Sequence, residues 1–261
     1  MLSGRSILVI GGSTGIGHAC ALACLAQGAR VTVTSYDESS LASIATESGG
    51  AITTVVADAR DADATQAAVE KAASATGRMD GLVHVAGGSG RAWGDGPLDT
   101  ITREGWDKTI ELNLTSVFLS NQSAVRQFRR QGGGAIVNIG SVLATHPAPG
   151  HFTTHAYAAA KSAIEGFTRS VAARYAPEGI RANVIAAGLT DTPMARRAMG
   201  DAAIRHFVST KQPLAGGRAA VPRDFGPAVA FLLSEAAGFI TGQVLSIDGG
   251  WALSDGQTSP R

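Results

Sequence analysis

The sequence predicts a doubly wound α/β fold: one parallel sheet of about seven strands, covered by helices on both faces, in a single domain spanning 1–261. Three observations carry that expectation. Short β-branched runs alternate with longer Ala-rich helical stretches. Most of the runs are apolar on both faces, as strands under two helical layers must be. The first run ends in a glycine-rich turn that opens directly into a helical stretch, an arrangement that is Rossmann-like.

The expected strands are Ser6–Ile10, Arg30–Thr34, Ile52–Ala57, Gly81–Ala86, Ala135–Ile139, Arg181–Ile185 and Val244–Ile247. Helices are expected near Gly15–Gln27, Glu38–Thr46, Ala62–Thr76, Thr102–Gln131, Ala156–Tyr175 and Val221–Leu233. Gly87–Pro97, His146–Thr154 and Thr190–Gly217 resist regular assignment. All three follow the carboxyl ends of strands, where open α/β sheets bind ligands. The polar stretch 254–261 reads as a frayed or loosely docked tail.

Composition narrows the function classes. Hydrophobic residues make up 44% and charged residues 16%, enough for a sizeable core, and the formal net charge is +1. A chain this close to neutrality offers no electrostatic footprint for nucleic acid or an anionic membrane. No run approaches the roughly 20 apolar residues of a membrane helix, and Ile7–Ile10 is too short for a leader core, so a cytoplasmic protein is expected. Cys20 and Cys24 lie four apart on a helical stretch, out of disulfide reach, and read as small core residues.

The turn Ile10-Gly11-Gly12-Ser13-Thr14-Gly15-Ile16-Gly17 suits a dinucleotide. Glycines let the backbone approach a pyrophosphate, whose charge meets N–H groups at the helix start. A flavin, a methyl donor or a plain tight turn are the other readings of such a loop alone. Farther on, Tyr157 and Lys161 stand at i and i+4, on one helix face. A free phenol, with a pKa of about 10, is a poor base near neutrality, and a neighbouring cation lowers that value. Ser141 ends the apolar run 135–139, where a hydroxyl can meet a substrate oxygen. Asn113 interrupts an apolar helical stretch and must satisfy its amide, by a water in a bent helix or by an ordinary structural hydrogen bond.

Together these residues resemble the short-chain dehydrogenase/reductase family, near its 3-oxoacyl-carrier-protein reductases. The glycine spacing is similar to its Thr-Gly, three residues, Gly-Ile-Gly fingerprint, with Ile10 in place of Thr. Asn113, Ser141, Tyr157 and Lys161 resemble its catalytic tetrad, in its order. The resemblance implies a nicotinamide-dependent oxidoreductase that interconverts a carbonyl and a secondary alcohol. In it Tyr157 is the acid/base, Lys161 lowers its pKa and binds the nicotinamide ribose, Ser141 orients the reacting oxygen, and Asn113 holds the water of a proton relay.

The resemblance also implies the cofactor contacts: Gly11, Ser13, Thr14, Gly15, Ile16 and Gly17 at the phosphates; Ser35, Tyr36 and Asp37 at the ribose; Asp58 and Ala59 at the adenine. Ala86, Gly87, Gly188, Thr190 and Thr192 follow near the nicotinamide. NADP is favoured over NAD, because Ser35 is neutral where NAD-preferring relatives carry an acid. Against it, no basic residue stands at the usual positions, and Asp37 could serve NAD or start the next helix. A homotetramer is implied, through 102–131, 156–175 and the last strand. Thr190–Gly217 is expected to be a mobile lid over the substrate.

Three departures stand out. His84-Val85-Ala86-Gly87 replaces Asn-Asn-Ala-Gly, and His84 reads as a satisfied core residue. Ala187 stands for the usual Pro. The stretch from Ser141 to Tyr157 is a few residues longer than usual and carries His146, His151 and His155, which lack partners at metal-ligand spacing, so no metal is expected. The rival reading is a catalytically idle dinucleotide-binding regulator on the same fold, which would have no need of both Tyr157 and Lys161.

Overall fold

The computed structural model describes residues 1–257. Its seven strands are β1 (Ser6–Ile10), β2 (Arg30–Ser35), β3 (Ile52–Val56), β4 (Gly81–His84), β5 (Gly134–Ser141), β6 (Ile180–Ala187) and β7 (Val244–Ile247). All pair in parallel, in the order β3-β2-β1-β4-β5-β6-β7. The order reverses between β1 and β4, which opens a crevice at their carboxyl ends.

The helices are α1 (Gly15–Ala26), α2 (Glu38–Glu47), α3 (Ala62–Ser74), α4 (Arg103–Ile110), α5 (Ser116–Gln131), α6 (His155–Tyr175), α7 (Arg196–Gly200) and α8 (Ala202–Lys211), followed by Gly226–Leu233. Successive strand residues point to opposite faces. Ile7, Val9, Val31 and Val33 face α1, α2 and the helix 226–233 through Cys24, Ile44 and Val229. Leu8 and Ile10 face the other way, onto Val69 of α3 and Phe128 of α5. Both cysteines are buried and free, as expected of core residues.

The structure corrects several sequence-based boundaries. β4 stops at His84, two residues short of Ala86, because Val85 and Ala86 both turn their N–H groups to the carbonyl of Ile10 (2.9 and 3.1 Å). The stretch 102–131, read as one helix, contains a π-helical turn at Glu111–Thr115. Val221–Leu233 is broken: Pro222–Asp224 forms a 3₁₀ turn before the last helix. Thr190–Gly217, where the sequence carries scattered helical signals and no clear strand, holds the short helices α7 and α8 and a helical turn at Leu214–Gly217. Of the tail, Ser254 is docked, its hydroxyl donating to the Thr210 carbonyl at 2.7 Å. Residues 258–261 lie outside the described residues.

A polar seam runs through the core behind β4 and β5. Asn138 of β5 and Asn121 of α5 exchange a reciprocal pair of amide hydrogen bonds (2.9 and 3.0 Å), and Asn138 also donates to the Thr168 hydroxyl of α6 at 3.0 Å. All three side chains are buried. Satisfied networks of this kind fix which elements pack where, and a half-satisfied one is costly. Asn138→Ala strands the Asn121 amide and should lower the unfolding free energy by about 2–3 kcal/mol. Urea denaturation checks this; a loss under about 0.5 kcal/mol would mean that the seam contributes nothing specific.

Candidate active site

The glycine turn follows β1 without slack. Gly11 sits at φ +76°, and a Cβ there would lie 2.7 Å from the backbone nitrogen of Ala86. At Gly17 a Cβ would lie 2.1 Å from the Gly11 carbonyl oxygen, so the first turn of α1 folds directly against the loop that precedes it. The cap position Thr14 offers no side-chain hydrogen bond, and the first turn of α1 carries no acid. Its N–H groups are thus open to an anion, and the bare backbone around them fits a pyrophosphate. Gly15 faces Thr192: a Cβ on the glycine would lie 3.2 Å from the threonine methyl, so the loops after β1 and β6 meet across the crevice.

At the end of β2 the hydroxyls bond among themselves. Ser40 donates to Ser13 at 2.8 Å, and Ser35 accepts from the N–H of Asp37 at 3.1 Å. Asp37 caps α2, accepting from the Ser39 N–H (3.0 Å) and hydroxyl (2.8 Å), and those bonds hold its carboxyl below the ordinary range. Of its two expected roles, the helix-starting one is visible. Tyr36 points outward, 80% exposed. Asp58 is gripped by Arg60 through Nε (3.0 and 3.1 Å) and a terminal nitrogen (2.5 Å), which lowers its pKa, while Ala59 packs on the core.

Three elements carry the four tetrad candidates. Ser141 closes β5 and starts a 3₁₀ turn by accepting the Leu143 N–H. Tyr157 and Lys161 stand on the first two turns of α6. The Lys161 Nζ donates to the Ile139 carbonyl at 2.8 Å and lies 5.6 Å from the centre of the Tyr157 ring. Asn113 occupies the π-helical turn, completely buried. Its amide donates to the carbonyls of Gly88 (2.8 Å) and Thr109 (2.9 Å), and its oxygen accepts the Gly88 N–H at 3.1 Å. Protein groups thus meet both amide hydrogens and the oxygen of Asn113. Gly87 is wedged beside it, where a Cβ would lie 2.8 Å from the Asn113 oxygen and 3.5 Å from the Lys161 Nζ.

The electrostatics differ from the sequence-based expectation in one respect. Burial pushes the Tyr157 phenol above its ordinary value, and hydrogen bonding from Ser141 pulls the other way. In the protein alone, desolvation therefore outweighs the lowering expected of Lys161. Lys161 feels the same burial and is pulled down to about 8. His84, 1% exposed, meets Ser120 through Nδ1 (2.7 Å) and the Ala86 carbonyl through Nε2 (3.2 Å). Burial, then the nearby Lys161 charge, drives its pKa down to about 3, so the ring is neutral and structural, as expected.

After β6, Gly188 has no room for a Cβ, which would lie 2.7 Å from the Gln212 oxygen. The Thr190 hydroxyl donates to the Gly188 carbonyl, and Thr192 donates to that of Thr190. Two residues with no recognisable sequence signal complete the frame. Gln212 clamps Leu189 by accepting its N–H (2.6 Å) and donating to its carbonyl (3.2 Å). Asp95, in the glycine-rich loop, reaches the first turn of α6. The histidine-bearing loop packs on the segments after β6 and β7: His151 lies tilted on Phe207 at 4.6 Å, and the His146 carbonyl accepts the Trp251 indole N–H at 3.2 Å. Among the described residues, no group of three His, Cys, Asp or Glu could hold a metal ion. No helix among them is long and apolar enough to cross a membrane.

The burial of Lys161 has a consequence for stability. Its ammonium is less favourable in the folded chain than in the unfolded one, where lysine titrates near 10.4. The penalty is complete below about pH 8 and fades as pH rises toward 10.4, because there the unfolded chain binds more protons. Relative to Lys161→Met, the native chain should gain on the order of 3 kcal/mol across that interval and nothing below pH 7. Guanidinium denaturation of both proteins from pH 6 to 10.5 reads the difference; a flat difference would refute the depressed value.

The comparisons with known proteins agree with this geometry. The family model described as enoyl-(acyl carrier protein) reductase matches residues 11–252. The chain is 35% identical to cis-4-hydroxycyclohexanecarboxylate dehydrogenase of Sinomonas cyclohexanicum, over 95% of this chain and 96% of that protein. It is 33% identical to the 3-oxoacyl-[acyl-carrier-protein] reductase of Thermotoga maritima, over 97% and 99%. A solved gluconate 5-dehydrogenase from Burkholderia cenocepacia, in complex with NADP and tartrate, superposes with a TM-score of 0.86 at 31% identity, covering 96% of each chain. The chain belongs to the short-chain dehydrogenase/reductase family and is an NAD(P)-dependent oxidoreductase.

Proposed function

We propose that the protein interconverts a carbonyl and a secondary alcohol on a small molecule, with Tyr157 as the proton donor and acceptor. The observation that carries this reading is the convergence of the Tyr157 phenol, the Ser141 hydroxyl and the Lys161 ammonium at the carboxyl end of β5, next to Gly87 of the loop after β4. A bound nicotinamide supplies or accepts the hydride. Ser141 holds the substrate oxygen, and Tyr157 gives it a proton in reduction or takes one in oxidation. Lys161 places a positive charge beneath the phenol. Asn113 acts at one remove, by fixing Gly88 in the loop after β4.

Burial keeps the phenol protonated near neutrality, the form that donates in reduction, whereas oxidation draws on the phenolate. As pH rises through the Tyr157 pKa, kcat/KM for carbonyl reduction should fall and that for alcohol oxidation should rise. The substrate class is a hydroxy or oxo compound of the kind for which the relatives are named. The cofactor contacts read from the sequence draw support from the close approach of Gly11 to Ala86, of Gly15 to Thr192 and of Gly87 to Lys161. For the preferred cofactor we favour NADP, because the carboxylate of Asp37 is committed to Ser39 and the hydroxyls of Ser13, Ser35 and Ser40 leave the end of β2 neutral.

A panel of ketones and secondary alcohols, assayed with both cofactors, tests the whole reading. Tyr157→Phe should reduce turnover by about 10³-fold or more with dinucleotide binding retained; a variant keeping a tenth of native kcat would overturn the assignment. A native preference for NADH that weakens in Asp37→Ala would reverse the cofactor choice.

We read 190–217 as a lid over the substrate and the assembly as a homotetramer. The lid reading rests on the anchoring of Ile204 and Val208 in one cluster with Trp251, and on the exposure of Met194 earlier in the segment. The tetramer draws support from the outer face of α6, where Ala159, Ala163 and Gly166 lie exposed, and from Trp106 and Phe118 on the neighbouring helices. Amide exchange in 190–217 should slow in a ternary complex, and light scattering at micromolar concentration should give four chains. Equal exchange in both states counts against the lid, and a monomer against the assembly.

A further inference from the structure

The helix that carries Tyr157 lacks a cap of its own. Thr154, at its cap position, makes no side-chain hydrogen bond, and its first turn contains no acid. Two of its leading N–H groups are met instead from about 60 residues earlier in the chain. One carboxylate oxygen of Asp95 accepts the N–H of Ala156 at 3.0 Å, and the other accepts the N–H of Tyr157 itself at 2.9 Å. Asp95 is 4% exposed, so these bonds form away from bulk water. Charge-assisted bonds of this kind are short and strong, and an anion at a helix start is favoured by the helix dipole.

The loop that carries Asp95 is braced at both ends. The Gly90 carbonyl accepts the N–H groups of Trp93 (2.9 Å) and Asp95 (3.1 Å). Gly90 is pressed so closely on Thr109 of α4 that a Cβ would lie 2.0 Å from its hydroxyl. Two residues earlier, Gly88 is held on both backbone groups by Asn113. The loop therefore runs as a strut from the π-helical turn of Asn113 to the backbone of Tyr157.

We propose that Asp95 is a positioning residue for the reaction: its carboxylate caps the catalytic helix from a distant loop and sets the direction of the Tyr157 side chain. The proposal rests on the reading of Tyr157 as the acid/base, and it adds a determinant that touches neither substrate nor cofactor. A displacement of the phenol by an ångström is enough to cost a large factor in rate, whereas the phosphate turn on β1 and α1 is untouched.

The test uses Asp95→Ala and Asp95→Asn in the full chain, with three readouts: amide exchange at Ala156 and Tyr157, the ¹³Cζ resonance of Tyr157 assigned by its loss in Tyr157→Phe, and turnover per cofactor-binding site. In Asp95→Ala the two amides should exchange about tenfold faster or more. The Tyr157 resonance should move, and turnover per site on the best substrate of the panel should fall at least about tenfold. Affinity for the reduced cofactor should stay within about twofold. Asp95→Asn keeps one acceptor oxygen and should fall between the two, and it carries the test alone if Asp95→Ala does not fold. Unchanged exchange overturns the cap. Faster exchange with unchanged turnover per site makes Asp95 a brace of the fold and overturns the positioning role. Exchange and resonance need no substrate: if nothing in the panel turns over, that failure falls on the oxidoreductase reading, and an unmoved Tyr157 resonance still overturns this one.

Discussion

The carbonyl of Ile10 accepts two N–H groups from the end of β4, and the site depends on that joint. It lies where the strand order reverses, so the two chain segments leaving β1 and β4 must diverge within a residue of touching. Gly11 is what allows it. Its backbone is left-handed, and the nitrogen of Ala86 lies where its side chain would begin. From there one segment becomes the phosphate turn and α1. The other becomes Gly87 and Gly88, held by Asn113 beside Lys161. The glycine turn and the Asn113–Lys161 group are thus two outcomes of one crossing, and neither can shift without the other.

Behind the joint the core is unusually polar for a sheet so deeply covered. His84, Ser116 and Ser120 form one knot of hydrogen bonds, and Asn121, Asn138 and Thr168 form the next. Each member has partners within hydrogen-bond reach, which removes the cost of burying it and leaves a directional preference that apolar packing lacks. The directions matter because α5 and α6 are long, and their sliding would move Asn113 and Tyr157. His84 contributes by remaining uncharged. A second cation so close to Lys161 would oppose the ammonium, and burial forbids it.

What could be read from the sequence divides along physical lines. Strands covered on both faces announce themselves by apolar runs, and β1 has the boundaries its run implies; β7 keeps its expected boundaries too, although it is a half-exposed edge strand. The role proposed for Tyr157 and Lys161 came from the resemblance and the order of the motifs, whereas that they share a helix was legible because helical spacing is local. The π-helical turn was not: Glu111–Thr115 has ordinary helical composition, and only the tertiary grip of Asn113 on Gly88 reveals why the helix widens there. Asp95 and Gln212 were invisible for the same reason, since each acts on a backbone distant in sequence. The direction of the Tyr157 shift was also beyond the sequence, because desolvation depends on what covers the ring.

Three stretches far apart in the chain are tied into one aromatic knot. Trp251 sets its edge against Phe207 (5.6 Å) and Phe152 (6.0 Å) while its indole N–H holds the His146 carbonyl. The histidine-bearing loop, the segment after β6 and the chain just past β7 are therefore co-dependent parts. None of the three can be exchanged alone, since a graft at 146–152 arrives without its matching residues at 207 and 251. Divergence of these loops has to proceed by correlated replacement, and an engineer grafting them from a relative must move all three pieces as a set.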